Sequence, residues 1–395
     1  MKILIIRLSS IGDCVLASPV LEALRERYPE AHLTWAVQSK SVSVVRGLPG
    51  LDETLLWDDR RRRWRSLARA LWNTRRARFD VALDLQGLDK AGLFAIASAA
   101  KRRVTGEGAR RIAHWSGNEH VEEGEKTHAR LFYLRRAAGL DIAPDAAERF
   151  FPRVPITALH RRFADEFLTH AGFTPDHRII GLNLGAAHAV KRWAPERFAR
   201  LANTLLTDDE RARIVVFGAP ADAPILEKFE IELASLQSKS VASGNAWSGR
   251  VLTAVGRVDL MQLAAIAERS SAFITADTGP MHVVAAVGAP MVALFGPTDV
   301  AQTGPVWKPG AAPIRVVNGR EIGEIPKAPM DIIKVQHVLD EVNALEGDVA
   351  AWRARNADVP NVSEARSRLN GKPDETKLDT KPRFDTKIVS VARPA

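Results

Sequence analysis

Residues 2–29, KILIIRLSSIGDCVLASPVLEALRERYP, decide the fold. A short, nearly unbroken apolar run, KILIIRL, passes through a polar turn straight into a helical pattern. An apolar run this short, bounded by turn residues, reads as a strand buried on both faces. The same unit recurs. HLTWAV (32–37), ETLLW (53–57) and DVALDL (80–85) read as strands, with helices predicted over 64–76 and 90–99. From about 105 to 128 the text is polar and predicts irregular chain, and helical text resumes at 128–139. Strand–helix alternation predicts a parallel sheet with helices on both faces.

A second series starts at 178. RIIGLNL, RIVVFG, SAFITAD and APMVALFG read as strands, and PERFARLANTLL, APADAPILEKFEIELASL, DLMQLAAIAERS and GPMHVVAAVG as helices. FPRVP (151–155), with two prolines, reads as the link between the series. The expectation is an α/β chain of two doubly wound parallel-sheet domains facing across a cleft. The first covers 1–155, a linker and connecting helix 156–177, and the second 178–345, closed by a helix at about 330–345. The polar, proline-containing text of 346–395 predicts a disordered tail. Ligands of open α/β sheets bind outside the carboxyl ends of the strands.

Composition narrows the function. The chain has 395 residues, 46% of them hydrophobic, which suits two buried cores. The net charge of +9 favours a polyanionic partner: nucleic acid, an anionic membrane face or a phosphorylated glycolipid. The single cysteine, Cys14, excludes an internal disulfide and disfavours a cysteine zinc site. Met1–Leu8 reads as a strand interrupted by Arg7, not a signal peptide, and no stretch approaches the ~18 apolar residues of a membrane span. These features predict a cytoplasmic protein. No G-x-G-x-x-G follows the first strand, and there is no phosphate loop, H-E-x-x-H or G-x-S-x-G.

Four segments can carry chemistry. In RLSSIGDCVLASP, Ser9, Ser10, Gly12 and Asp13 sit at the carboxyl end of a central strand. Asp13 there reads either as a general base toward an acceptor hydroxyl or, with Ser10, as a helix cap. In ITADTGPMHVVAA, a strand runs into Asp277, Thr278 and Gly279 and then a helix whose free N–H groups favour phosphate. Gly279 would let backbone approach a ligand, and His282 lies one turn in; the alternative is an Asp/Thr cap with a core histidine. Gly296 adds a second tight turn. NLGAAHAVKRWAPERF presents small residues and then Lys191, which can offset charge on a departing diphosphate or be one of an ordinary solvated Lys–Arg pair. Nine arginines, beginning with Arg60, Arg61, Arg62 and Arg63, fall between 60 and 78 with no acid among them and with Trp64 and Trp72 interleaved. They read as a solvated face or as a binding surface for an anionic acceptor.

With these segments in hand, the chain resembles the lipopolysaccharide heptosyltransferases of glycosyltransferase family 9. The resemblance runs from Met1 to about 345. It rests on IIRLSSIGDCVLASPVLEALR, DLQGL (84–88), KRWAPERF (191–198) and ADTGPMHVVAAVGAPMVALFGPTD (276–299). It implies a GT-B fold of two Rossmann-like domains and an inverting transfer of heptose from ADP-heptose to the lipopolysaccharide inner core, with no cofactor and no essential metal. It also implies Asp13 as catalytic base, supported by Ser10 and Gly12. Lys191, Asp277, Thr278, Gly279 and His282 would bind the donor, and Arg60–Arg63 the acidic acceptor sugars. The expected partners are the nucleotide sugar and an anionic glycolipid, with peripheral contact at the cytoplasmic face of the inner membrane, no nucleic acid, and a monomeric chain. Ala186 and Ala187 depart from the hydroxyl residues common before the family lysine, Val300 stands where Pro is common, and Asp222 falls near a position where a ribose-binding acid is sometimes found. The other readings are a GT-B enzyme on another nucleotide sugar, whether another core-sugar transferase or an epimerase, and a non-catalytic polyanion-binding protein. The base assignment predicts that Asp13→Ala folds normally and binds donor but transfers almost no sugar.

Overall fold

The computed structural model describes residues 1–60, 63–125, 127–143, 145–240, 247 and 249–356. Arg61, Arg62, the side chain of Arg63 and the predicted tail from 357 onward lie outside the described residues. Two compact units are present. The first is Met1–Pro155 with Asp277–Val287 and Thr298–Gly310; the second is Ile156–Ala276 with Gly288–Pro297 and the chain from Ala311.

The first unit is built on six strands: β1 (Lys2–Ile6), β2 (His32–Gln38), β3 (Glu53–Trp57), β4 (Val81–Asp84), β5 (Arg102–Gly106) and β6 (Glu119–Val121). They lie in the order β3-β2-β1-β4-β5-β6, every pair parallel. Ile3, Leu4, Ile5 and Ile6 of β1 are all fully buried, as the unbroken apolar run requires of a central strand covered on both faces. The second unit repeats the plan with β7 (Arg178–Asn183), β8 (Ala212–Phe217), β9 (Val251–Thr253), β10 (Ala272–Ala276), β11 (Met291–Phe295) and β12 (Ile314–Asn318). Its order is β12-β11-β10-β7-β8-β9, again all parallel. Numbered from its own first strand, this is the order of the first sheet. In each sheet the strand order reverses beside the first strand, between β1 and β4 and between β7 and β10. The carboxyl ends at such a reversal leave an opening for ligands.

Two expectations need correction. The stretch 105–128 is not irregular: it holds the end of β5, the helix Arg111–Ser116 and β6. These elements are short and half-exposed, so they carry no apolar run to read. The closing helix does not stop near 345 but spans Val335–Arg355, because Val338, Val342, Leu345 and Val349 form one buried stripe along it. The first ten residues assigned to the tail are therefore helix.

Candidate active site

The turn after β1 is organised around a buried cation. Arg7 leaves the sheet with its side chain inward, and its Nη2 pairs with Asp13 Oδ2 at 2.7 Å. Its Nη1 donates to the carbonyl of Leu85, at the end of β4, at 3.3 Å. Tyr133, buried on the helix Ala129–Ala137, donates its hydroxyl to Asp13 Oδ1 at 2.6 Å, and the Arg7 guanidinium lies over its ring at 4.9 Å. Ser10 donates from both Oγ (2.7 Å) and backbone N (3.1 Å) to Asp13 Oδ2. The capping geometry at the start of the helix Ile11–Ala17 is thus present, and the same carboxylate carries the ion pair.

Burial alone would raise the pKa of Asp13. The Arg7 charge, then the Tyr133 and Ser10 hydrogen bonds, outweigh it and hold the carboxyl at about 2. Asp13 is therefore ionised at any physiological pH, with 34% of its side-chain surface open to solvent. Burial pushes the Cys14 thiol up to about 12, so it is not a nucleophile at neutral pH. The pair also changes one expectation. Arg7 is only 9% exposed at its side chain, so Asp13→Ala would strand a buried guanidinium and is expected to fold less stably than wild type.

The turn after β4, in DLQGL, supports this arrangement. Buried Asp84 accepts from the N–H groups of Gln86 (2.8 Å) and Gly87 (2.9 Å), and Gln86 Oε1 in turn accepts from Leu8 N at 2.9 Å. Gly87 has φ +66°, a conformation that favours glycine, and a side chain there would press on the Arg136 guanidinium at 2.8 Å. Lys90 extends the polar surface: its Nζ reaches Ser9 Oγ and Gln38 Oε1, each at 3.1 Å, and Gln38 Nε2 donates to Asp59 Oδ2 at 2.9 Å. The carboxyl ends of β1, β2 and β3 are linked in this way. Arg60 lies at the same edge, lining a cleft of about 370 Å³ with Ser39, Val42, Leu56 and Asp58.

The helix Gly279–Val287 packs against the helix Ile11–Ala17. A side chain at Gly12 would come within 2.5 Å of His282 Cδ2, and one at Gly279 within 2.8 Å of Ile11 Cγ2. The space a Cβ at Gly279 would need is taken by Ile11, and His282 is a buried side chain set against Gly12. Ser10, Gly12, Asp13, Gly279 and His282 are thus drawn together; Asp277 is buried and Thr278 half-buried at the entry to the helix.

In the second unit the turn after β7 is held from outside its small residues. Arg192 Nε donates to the carbonyl of Ala186 at 2.9 Å. Buried Trp193 anchors the end of the turn, with Nε1 on the carbonyl of Ile333 at 2.9 Å and its ring edge-on to Phe198. Lys191 is half-buried on the single turn Ala189–Lys191 between these fixed points. Beside it a cleft of about 410 Å³ is lined by Ala189, Val190, Arg192, Pro297, Lys327 and Met330, among others. Gly296 opens toward Met330, whose Sδ stands 2.6 Å from where a side chain would begin. Asp222 is buried, accepts from Ala219 N at 2.8 Å and fills the space beside Gly185, so it caps the turn after β8. Among the described residues no group of three or more His, Cys, Asp or Glu side chains is disposed to hold a metal ion.

Sequence reading missed Arg7, Tyr133, Lys90 and Gln38. Arg7 alone left a signal, as a charge inside an apolar strand.

Two six-stranded parallel sheets of one strand order in series define the GT-B fold class. Residues 64–320 match glycosyltransferase family 9 (heptosyltransferase), and the chain belongs to that family and is a glycosyltransferase enzyme. The lipopolysaccharide core heptosyltransferase OpsX of Haemophilus influenzae is 23% identical over 306 residues, 76% of this chain and 80% of that one. Among solved structures, a family 9 glycosyltransferase from Veillonella parvula superposes with TM-score 0.74 at 25% identity, covering 87% of this chain and 97% of that one. The E. coli ADP-heptose lipopolysaccharide heptosyltransferase II gives 0.68 at 21% identity, covering 88% and 98%.

Proposed function

We propose that this enzyme transfers a heptose from ADP-heptose to the inner core of lipopolysaccharide with inversion at the anomeric carbon, at the cytoplasmic face of the inner membrane. The observation that carries the mechanism is the fixed, ionised Asp13 at the end of β1. Its Oδ1 accepts one hydrogen bond, from Tyr133, while Oδ2 takes Arg7 and Ser10, so Oδ1 keeps acceptor capacity for an incoming hydroxyl.

A carboxylate titrating at about 2 is a weak base toward a ground-state alcohol. It suits a late proton transfer. As the acceptor oxygen bonds to the anomeric carbon, its proton becomes strongly acidic and passes to Oδ1. Before that point the same negative charge stabilises the cationic sugar. Lys191 and the N–H groups at Thr278 and Gly279 take up the charge that develops on the departing ADP, with Asp277 and His282 completing the donor-binding residues. Arg60 to Arg63 contact the acidic acceptor. The relatives named above support the choice of heptose, ADP and lipopolysaccharide.

The test is a panel of nucleotide sugars, read by thermal shift and by release of free nucleotide in the presence of a Kdo–lipid A acceptor. ADP-heptose alone should both stabilise the protein and be consumed. Consumption of a UDP-sugar in its place would overturn the assignment of the donor.

A further inference from the structure

One side-chain amide at the strand reversal of the first unit is held at one end only. Gln86 stands just past the end of β4, in DLQGL, and is 9% exposed. Its backbone N–H donates to Asp84 Oδ1 at 2.8 Å, and its side-chain Oε1 accepts from Leu8 N, past the end of β1, at 2.9 Å. A backbone N–H can be met only by the amide oxygen, so the Leu8 contact fixes which way the Gln86 amide points. Nε2 makes no hydrogen bond with another described residue, yet it keeps solvent access, unlike the unpaired Asp84 Oδ2 two residues away. Leu85, one residue earlier, gives its carbonyl to Arg7, the cation that pairs with Asp13. Lys90, four residues on, reaches Ser9 Oγ at 3.1 Å. Gln86 is thus set between the residues that hold Asp13 and the Lys90 ammonium.

Open α/β sheets take their ligands at this reversal. A mostly buried amide with its N–H groups unmatched by protein is completed by an oxygen of the ligand. Because the Gln86 backbone and Oε1 are both tied down, Nε2 is held in place before any ligand arrives, and little is lost in ordering it. The chemistry of the donors selects the kind of oxygen. A sugar hydroxyl both donates and accepts, so a mixed set of partners serves it; a carboxylate only accepts, so donors alone serve it. Gln86 Nε2 and Lys90 Nζ can only donate. The amide supplies direction and the ammonium supplies charge, and hydrogen bonds to a charged group are the stronger kind.

We propose that Gln86 Nε2 donates to the carboxylate of the acceptor sugar and that Gln86 thereby selects an acidic sugar over a neutral one. The inference rests on the reading of Asp13 as the base toward an acidic glycolipid. The test is calorimetric binding to the full chain, without donor, of the Kdo disaccharide and of the same disaccharide with its carboxylates reduced to alcohols. Wild type should bind the acidic form roughly tenfold or more tightly. Gln86→Glu keeps an oxygen for Leu8 N and exchanges only the donor end for an anion. It should keep the wild-type melting temperature and donor thermal shift, bind the acidic form roughly 10–100-fold more weakly and bind the reduced form as wild type does. Gln86→Met, uncharged, removes both ends; it should melt lower and lose roughly tenfold of the preference. A wild type that binds both forms alike overturns the proposal, as does a preference unchanged in either variant. Equal weakening of both forms in Gln86→Glu also overturns it, since that marks a distorted turn. Because binding is read without turnover, a wild type that keeps the preference but consumes no ADP-heptose would sink the heptose assignment and leave this contact standing.

Discussion

The turns after β1 and β7 leave the same place in two sheets of the same strand order, yet they are built in opposite ways. The first is filled with charge: Arg7 is buried, and Asp13 is tied to it, to Ser10 and to Tyr133, a residue 120 positions away. The second is emptied of side chains. Gly185, Ala186 and Ala187 form it, and Arg192 and Trp193 hold it from its far end. One turn fixes an anion whose pKa the surroundings hold low; the other carries Lys191 on a short, well-anchored loop. Identical backbone plans thus tolerate opposite chemistry at the strand reversal, because the sheet fixes where a turn stands and long-range contacts fix what it holds.

The largest effect that can break this contrast is at Asp13. Asp13→Asn keeps the shape and removes the charge, and should lower the transfer rate by about 10²–10⁴-fold while leaving the donor-induced thermal shift intact. Wild-type turnover in that variant removes Asp13 as base. Asp13→Ala should in addition lose about 1–3 kcal/mol of stability, read by urea unfolding, since a buried Arg7 is left unpaired while a part-exposed partner is removed. On the other turn, Lys191→Ala should cost on the order of 10²-fold in rate and weaken the donor thermal shift as well. A loss confined to acceptor KM would place Lys191 elsewhere in the reaction.

Packing gives a smaller effect. Gly12→Ala drives a methyl to within 2.5 Å of the His282 ring and should destabilise by about 1–3 kcal/mol. Gly347→Ala, in the helix Val335–Arg355 with nothing within 4 Å, should instead stabilise by about 0.5–1 kcal/mol. Equal melting temperatures for the two would refute the tight contact.

The finest test is of pH. Tyr133→Phe removes a hydrogen bond to the Asp13 anion, so the carboxyl pKa rises from about 2 toward its ordinary value. A group with a depressed folded pKa contributes stability above its unfolded pKa and loses it as pH falls through the folded one. The variant should therefore lose activity and stability at a higher pH than wild type on the acid side. Superimposable acid limbs would show that Tyr133 does not tune Asp13.

How much of this could be read beforehand depended on the range of the forces involved. Most of the strands were legible because burial on both faces writes a continuous apolar run, as in Ile3–Ile6 and Met291–Phe295. Those not read were β5, β6, β9 and β12, of which the last three are sheet edges, where one side of the strand has no neighbour and the pattern thins. The turn residues Ser10, Gly12, Asp13, Gly279 and His282 stood out by their place after strands. What Gly12 and Gly279 make room for did not.

The sequence by itself determined two α/β halves and where their turns fall, since periodicity and turn chemistry act over a few residues. Only the tertiary structure decided that Arg7 faces inward, that Tyr133 completes the Asp13 carboxylate and that Lys90 joins Ser9 to Gln38. It also decided which end of the Gln86 amide Leu8 holds. Those are contacts between segments tens of residues apart, and no local pattern encodes them.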